Sequence, residues 1–296
     1  ATAIEAGKHH TCALLDNSSV KCWGKNDSGQ LGLGDTDDRG DGSNEMGDDL
    51  TAIDLGSGRT ATAITAGDEH TCALLDNASV KCWGENSYGQ LGQGNMDDLG
   101  DGSNEMGDNL TAIDLGSGRT ATSITTGTQY TCALLDDKSV KCWGRGDSYQ
   151  LGNEKGANRG DDNDEMGDLL EKVYLDSNSG ESFLRTATAI AAGNFHTCAI
   201  RDNSSIKCWG LNDSGQLGIG NANNLQYLDR GSDIDLGAGR TARGIAAGDS
   251  HTCAMLDNAS IKCWGGNAFG QLGLGHTYNR GDNSSEMGDD LPVIGL

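Results

Sequence analysis

The sequence repeats itself five times, and that periodicity limits the fold more than any other feature. Residues 3–24 read Ala-Ile-Glu-Ala-Gly-Lys-His-His-Thr-Cys-Ala-Leu-Leu-Asp-Asn-Ser-Ser-Val-Lys-Cys-Trp-Gly. The frame returns at 63–84, 123–144, 189–210 and 244–265, in steps of 60, 60, 66 and 55 residues. A second segment, Asn-Asp-Ser-Gly-Gln-Leu-Gly-Leu-Gly at 26–34, is echoed at 86–94, 212–220 and 267–275, and more weakly at 146–152. A unit repeated in this way buries its apolar side against its neighbours. The expected organisation is one repeat domain over 1–296, with units 1–60, 61–120, 121–186, 187–241 and 242–296.

Within a unit the pattern is β. Thr11–Leu15 and Ser19–Trp23 are short, β-rich and separated by polar turn residues, as in a hairpin. A three-residue loop at Asp16-Asn17-Ser18 sets Leu14 opposite Val20, Ala13 opposite Lys21 and Cys12 opposite Cys22. Opposed β-carbons stand close enough for a disulfide. The same spacing recurs in Cys72 and Cys82, Cys132 and Cys142, Cys198 and Cys208, and Cys253 and Cys263. One cystine per repeat is therefore expected, with buried free thiols as the alternative, and cystines imply an oxidising, extracellular setting. The start at Ala1 without Met is expected to be a mature end left by signal-peptide removal, or a trimmed one. The last loop position favours a left-handed backbone, yet holds Ser18, Ala78, Lys138, Ser204 and Ala259.

The block Ala-Gly-x-x-His-Thr-Cys-Ala-Leu-x-Asp-Asn-x-Ser-x-Lys-Cys-Trp-Gly-x-Asn-x-x-Gly-Gln-Leu-Gly resembles the regulator of chromosome condensation (RCC1-like) repeat, in the cysteine-paired form of secreted microbial proteins. The resemblance covers essentially the whole chain. It implies an all-β propeller whose blades are four-stranded antiparallel sheets. Family propellers commonly have seven blades, whereas five repeats stand here, and the last stops short of the Gly-x-Gly-Arg-Thr that ends its predecessors. A closed ring is expected over stacking on another molecule. The family carries unrelated activities, so fold alone does not settle function.

Charge narrows the partners. The chain has 21 Lys and Arg against 44 Asp and Glu, a net of −23, which disfavours nucleic acid and anionic membrane surfaces. Four windows after the Gln-Leu-Gly motif, 35–49, 95–109, 154–168 and 276–290, hold 22 of the 44 acids; the fourth copy has Asn221–Asp233 instead. Carboxylates interleaved with Asn and Gly suit calcium. The candidate ligands are Asp35, Asp37, Asp41, Asn44, Glu45 and Asp48 in the first loop, and Asp97, Asp101, Asn104, Glu105 and Asp108 in the second. Asp161, Asp164, Glu165 and Asp168 follow in the third, then Asp282, Glu286 and Asp289. An EF-hand register fails, because Arg39 falls on a ligand position. The alternatives are simple solvation, a high-salt habitat or a folded, metal-free loop; the fixed Met of Glu-Met-Gly-Asp argues for defined structure.

Other signals are weaker. His10, His70, His196 and His251, with Tyr130 in the third copy, read as strand-start residues with backbone hydrogen bonds rather than a metal ring. Trp23, Trp83, Trp143, Trp209 and Trp264 are expected to pack between blades. Arg39-Gly40-Asp41 and its copies spell an adhesion tripeptide that a repeat can carry for structural reasons. Glycosylation acceptors occur at Asn17, Asn26, Asn77, Asn109, Asn203, Asn212, Asn258 and Asn283, although Asn also suits the turns. No catalytic constellation stands apart from the repeat. The expected function is a secreted, non-enzymatic structural or interaction protein with calcium on its loops, able to assemble with itself into a filament or layer. A propeller that binds an extracellular protein or glycan is the alternative, and guanine-nucleotide exchange by family analogy a remote one.

Overall fold

A computed structural model describes residues 1–153, 155–175, 185–224 and 233–295. Each repeat contributes one three-stranded antiparallel sheet, with strands in chain order. The first is β1 (Ala3–Ala6), β2 (His10–Leu14) and β3 (Val20–Gly24). The second is β4 (Ala61–Ala66), β5 (His70–Leu75) and β6 (Val80–Gly84). Next come β7 (Ala121–Thr126), β8 (Tyr130–Leu135) and β9 (Val140–Gly144), then β10 (Ala187–Ala192), β11 (His196–Arg201) and β12 (Ile206–Gly210). The last sheet is β13 (Ala242–Ala247), β14 (His251–Leu256) and β15 (Ile261–Gly265). No helix among the described residues is long and apolar enough to cross a membrane.

The hairpin register is the one the cysteine spacing requires: Cys12 faces Cys22, Ala13 faces Lys21 and Leu14 faces Val20. Each repeat carries its own disulfide, with Cα atoms 4.0–4.1 Å apart, and no cysteine is free. The turn closes through Ser18 N–H to Leu15 O, and Ser18 takes the left-handed backbone at φ 62°. Ala78, Lys138, Ser204 and Ala259 do the same at 62–66°. Three bonds hold this conformation in place of a glycine. Asn17 Oδ1 accepts the N–H and hydroxyl of Ser19, and Ser18 O accepts Ala61 N–H from the next repeat.

Three strands, not the expected four, form each sheet. The segment in the fourth place touches the sheet through a single backbone bond, Ile53 N–H to Val20 O at 2.8 Å, repeated at Ile113–Val80 and Ile294–Ile261. Its neighbouring groups are spent elsewhere: Asp54 O accepts Gly107 N–H, and Leu55 O accepts the Lys81 ammonium. A ladder needs alternate residues free to pair along the strand. Here they are not.

The chain divides into two compact units. The first comprises residues 1–137, 141–145 and 158–171; the second comprises 138–140, 146–157 and 172–296. In each, the apolar cores lie between consecutive sheets rather than within one. In the first unit, Cys12, Leu14, Val20 and Leu31 of one repeat pack against Ile64, Ala73, Leu75 and Trp83 of the next. The set recurs with Cys72, Leu74, Val80 and Leu91 against Ile124, Ala133, Leu135 and Trp143. In the second unit, Cys198, Ile200, Ile206 and Leu217 meet Ala254, Leu256 and Trp264. The tryptophans are the inter-repeat wedges that their spacing suggested.

Candidate functional site

The acidic insertions are braced loops with most of their carboxylates turned to a structural task. Arg39 begins each by pairing with the third strand: Gly24 and Arg39 exchange both backbone bonds, as do Gly84–Leu99, Gly144–Arg159 and Gly265–Arg280. The adhesion-like tripeptide is this bridge followed by a turn. Asn26 then pins the loop base. Its Nδ2 donates to Asp35 O, its own N–H donates to Asp38 Oδ1, and its Oδ1 accepts Leu31 N–H. Asn212 repeats the pattern, and both asparagines are fully buried. That corrects their reading as glycosylation acceptors, since the nitrogen to be modified is enclosed and already donating. Asn17, Asn77, Asn109, Asn203, Asn258 and Asn283 are exposed.

The Glu of Glu-Met-Gly-Asp folds back as a cap. Glu45 Oε2 accepts Gly40 and Gly42 N–H, both at 2.8 Å; Glu105 accepts Gly100 and Gly102. Glu165 and Glu286 do likewise. Burial opposes ionisation at Glu105, yet the Gly102 and Gly100 N–H bonds and a hydrogen bond from Asp101 hold it below the usual carboxylate range. Burial and that same contact push Asp101 up. Asp282 and Glu286 form an equivalent pair.

The last Asp reaches between repeats. Asp108 accepts the N–H and hydroxyl of Ser57, and Asp168 those of Ser117. Those bonds hold both carboxyls low, starting with the Ser hydroxyl. Asp289 accepts Ala238 N–H. Asp35 is held by Arg39 and Asp37 N–H. Asn44 and Asn104 serve as left-handed turn residues, at φ 68° and 73°. Asp37, Asp41, Asp48, Asp97, Asp164 and the remaining candidates lie on the loop surface or half-buried in it. The carboxylates are thus gathered in pairs, and no group of three or more His, Cys, Asp or Glu suited to a metal occurs among the described residues. Residues 225–232 of the fourth copy's replacement loop lie outside the described residues.

A lysine locks the far end of each loop. Lys81, on β6, donates to Leu55 O at 3.0 Å and Gly107 O at 2.8 Å; Lys141 and Lys262 make the same two bonds. Burial lowers the Lys81 pKa, while Asp108 and Asp54 counter it. Lys21, in the first repeat, meets Gly47 O and is more exposed. These lysines escaped the sequence reading because a Lys inside a strand suggests a solvent face. The usable signal was its recurrence beside all five second cysteines. Lys81→Met is expected to cost about 2–3 kcal/mol, leaving two carbonyls without their donor, and Lys21→Met less than about 1 kcal/mol. Urea unfolding midpoints of the two variants check this; equal losses would refute the clamp.

Deeper in the junctions a second chain of bonds repeats. Gln30 O accepts both Thr71 Oγ1–H and Trp83 Nε1–H, and Thr71 Oγ1 accepts in turn from His10 Nε2 at 2.9 Å. Because the Thr hydrogen is committed to Gln30, the imidazole must be the donor. The histidines do begin their strands, but they bond a threonine hydroxyl rather than backbone.

The sequence model of the RCC1-like domain matches residues 1–294. The chain is 28% identical over 279 residues to the ultraviolet-B receptor UVR8 of Arabidopsis thaliana, covering 94% of this chain and 56% of the receptor. It is also 28% identical over 251 residues to the human E3 ubiquitin-protein ligase HERC2, covering 85% of this chain and 5% of the ligase. Among solved structures, yeast RCC1 (Prp20) bound to Kap60 superposes with a TM-score of 0.69 at 22% identity, over 92% of this chain and 57% of that one. Human WBSCR16 gives 0.67 at 17% identity, over 93% and 64%. The chain therefore spans little more than half of the receptor and a small part of the ligase. With the repeat, the inter-repeat tryptophans and the family match in agreement, this chain belongs to the RCC1-like domain family.

Proposed function

We infer that this chain is a non-enzymatic, disulfide-braced propeller module that binds a basic protein partner through its acidic insertions. The observation that carries this reading is the bracing itself. Glu45, Glu105, Glu165 and Glu286 cap their own loops, so Asp37, Asp49 and Asp97 project from a backbone fixed before any partner arrives. Preorganised charge gives fast, specific encounter at little ordering cost. Prp20p of Saccharomyces cerevisiae has binding properties toward Gsp1p and histones, and histones are ligands of the complementary sign. Five cystines accord with a secreted setting. Calcium enters this reading as a weak surface ligand of the Asp101–Glu105 and Asp282–Glu286 pairs, with water completing its shell.

Titration calorimetry with core histones tests the reading. Binding is expected to weaken steeply with salt and to fall at least tenfold in the triple variant D37N/D49N/D97N, with its unfolding midpoint unchanged. No binding at low salt, or equal affinity for the variant, would refute it.

A further inference from the structure

The insertion of the fifth repeat keeps the frame of the first and loses its charge. Asp35-Thr36-Asp37-Asp38-Arg39-Gly40-Asp41 becomes His276-Thr277-Tyr278-Asn279-Arg280-Gly281-Asp282, so three carboxylates beside the arginine give way to an imidazole, a phenol and an amide. The hydrogen-bond frame is unchanged. Asn26 N–H donates to Asp38 Oδ1, and Asn267 N–H to Asn279 Oδ1 at 3.0 Å. Asn26 Nδ2 donates to Asp35 O, and Asn267 Nδ2 to His276 O at 2.8 Å. The N–H two residues on turns back in both loops, from Asp37 to Asp35 Oδ1 and from Tyr278 to His276 Nδ1 at 3.2 Å. Arg39 Nη2 closes the first loop on Asp35 Oδ2 at 2.6 Å, and Arg280 Nη2 reaches His276 Nε2 at 3.1 Å.

The exchange matters because the two side chains differ in what they accept. A carboxylate takes donors on both oxygens, whereas a neutral imidazole accepts on one nitrogen and donates from the other. At His276, Nδ1 faces the Tyr278 N–H, with Asn267 Nδ2 3.4 Å away, and Nε2 faces a guanidinium that can only donate. The backbone N–H is fixed by the turn, so the ring hydrogen belongs on Nε2. Arg280 Nη2–H and His276 Nε2–H then stand side by side with no acceptor among the described residues. Arg280 Nη1 is 3.4 Å from both Glu286 Oε1 and Asn279 O, which leaves Nη2 as the open end of the fork. The Tyr278 ring is 74% exposed and stands 5.6 Å from the imidazole. A repeat that follows does not cover this place. In the first repeat the Arg39 and Asp35 side chains are 23% and 36% exposed, and Asp37 and Asp97 are exposed with a neighbour behind them.

We propose that the fifth insertion binds an acidic sugar, whose carboxylate accepts from Arg280 Nη2 and His276 Nε2 while its pyranose face lies on the Tyr278 ring. The oxyanion takes the place that the Asp35 carboxylate fills in the first loop. Hydrogen bonds from a guanidinium to a carboxylate are charge-assisted and directional, and an exposed tyrosine offers a flat apolar body with a polar tip. Glu286 and Asp282 already draw on the Arg280 charge, so binding is modest. The net charge of the whole chain opposes it little, being screened beyond about 8 Å at physiological salt. An inorganic phosphate offers the same oxyanion; the Tyr278 ring is what favours a sugar. The ligand is opposite in sign to the basic partner of the preceding section and touches none of Asp37, Asp49 or Asp97, so either reading can fail without the other.

Titration calorimetry on the whole chain tests it, with trigalacturonate, the neutral maltotriose and inorganic phosphate as probes. Trigalacturonate is expected to bind with a Kd of about 0.1–1 mM, phosphate at least about tenfold more weakly, and maltotriose not at all. His276→Asp restores the acceptor that Asp35 supplies to Arg39, so the loop closes on itself as the first one does. That variant should bind trigalacturonate at least about tenfold more weakly, with its urea midpoint unchanged. Ser285→Asp adds the same charge at the place where the third repeat carries Asp164, and should weaken binding less than about threefold. Tyr278→Ala should weaken trigalacturonate at least about fivefold and leave phosphate as it was. Absence of trigalacturonate binding, equal binding of maltotriose, or His276→Asp binding like wild type would each overturn the proposal. Phosphate binding as tightly as the saccharide, or Tyr278→Ala without effect on it, would overturn the assignment to a sugar.

Discussion

Reduction of the five disulfides is expected to remove most of the stability of this chain. Each cystine joins residues ten apart across one hairpin, and closing so short a loop in the unfolded chain is worth about 2–3 kcal/mol. Five of them amount to on the order of 10 kcal/mol, similar to the whole net stability of an ordinary domain. The turn they close is also held in a left-handed conformation without glycine, so its staple restrains a backbone that the residues themselves disfavour. Cys12, Cys22, Cys72 and Cys82 are fully buried, so reductant must wait for local opening. The urea midpoint should therefore collapse when reductant is added to unfolded chain before refolding. Added to native protein at low denaturant, the same reductant should act slowly. A double variant at one internal cystine, C72A/C82A, should lose about 2–3 kcal/mol while keeping the other four bonds. An unchanged midpoint after complete reduction, verified by thiol labelling, would show that the inter-repeat cores suffice without them.

What the residues revealed in advance follows from how locally each feature is determined. The Cys12–Cys22 register depends on one turn length, and a loop of Asp16-Asn17-Ser18 admits one pairing. Met46 and its copies, held at one place in an otherwise polar loop, correctly implied a folded insertion: the Met106 methyl lies close to Gly32 and its sulfur chain packs in the core with Trp83. Features that depend on the next repeat were hidden. Leu55 pairs with the Lys81 ammonium instead of a strand, and no pattern within one unit shows that choice. That Glu105 also caps its own loop was hidden, because the backbone N–H groups of Gly100 and Gly102 converge on it only in the fold. Asn26 fits a glycosylation rule that is blind to burial. One departure was legible and went unused. Tyr149 stands at φ 64° where other copies have glycine, in the single repeat whose successor lacks Glu-Met-Gly-Asp.

Acidification below about pH 6.5 is expected to weaken the fold through its buried histidines. Burial lowers His10 to about 4, against the raising effect of Glu69 and with a further lowering from His9, and lowers His70 to about 3, with His10 adding to the effect. Burial also lowers His196 to about 3. Their Nε2 atoms donate to Thr71, Thr131 and Thr252, and Nδ1 of His10 and of His70 is enclosed without an acceptor or donor. Protonation would place a charge there with nothing to receive the new N–H. In the unfolded chain these rings regain the ordinary value near 6.5, so between 6.5 and about 4 the unfolded state binds more protons. Stability then rises with pH across that window and is lost on going down, by at most about 1.4 kcal/mol per pH unit per histidine. Carboxylates do not imitate this. Asp98, Asp101, Asp282 and Glu5 are raised by burial and so favour the folded state as pH falls, while Glu105 and Glu286 are held low, so the stability they add is present above the ordinary carboxylate range and is lost only as pH falls below it. Urea midpoints between pH 7.5 and 4.5 should therefore fall progressively. Burial lowers His251 as well, so in His70→Gln, whose amide can still donate to Thr131 but does not titrate, the fall should be about one quarter shallower. The third repeat already shows that the position does not depend on ionisation, since Tyr130 fills it fully buried. Parallel pH profiles for His70→Gln and wild type would mean that the imidazole is not held neutral in the fold, with Nε2 still donating to Thr131.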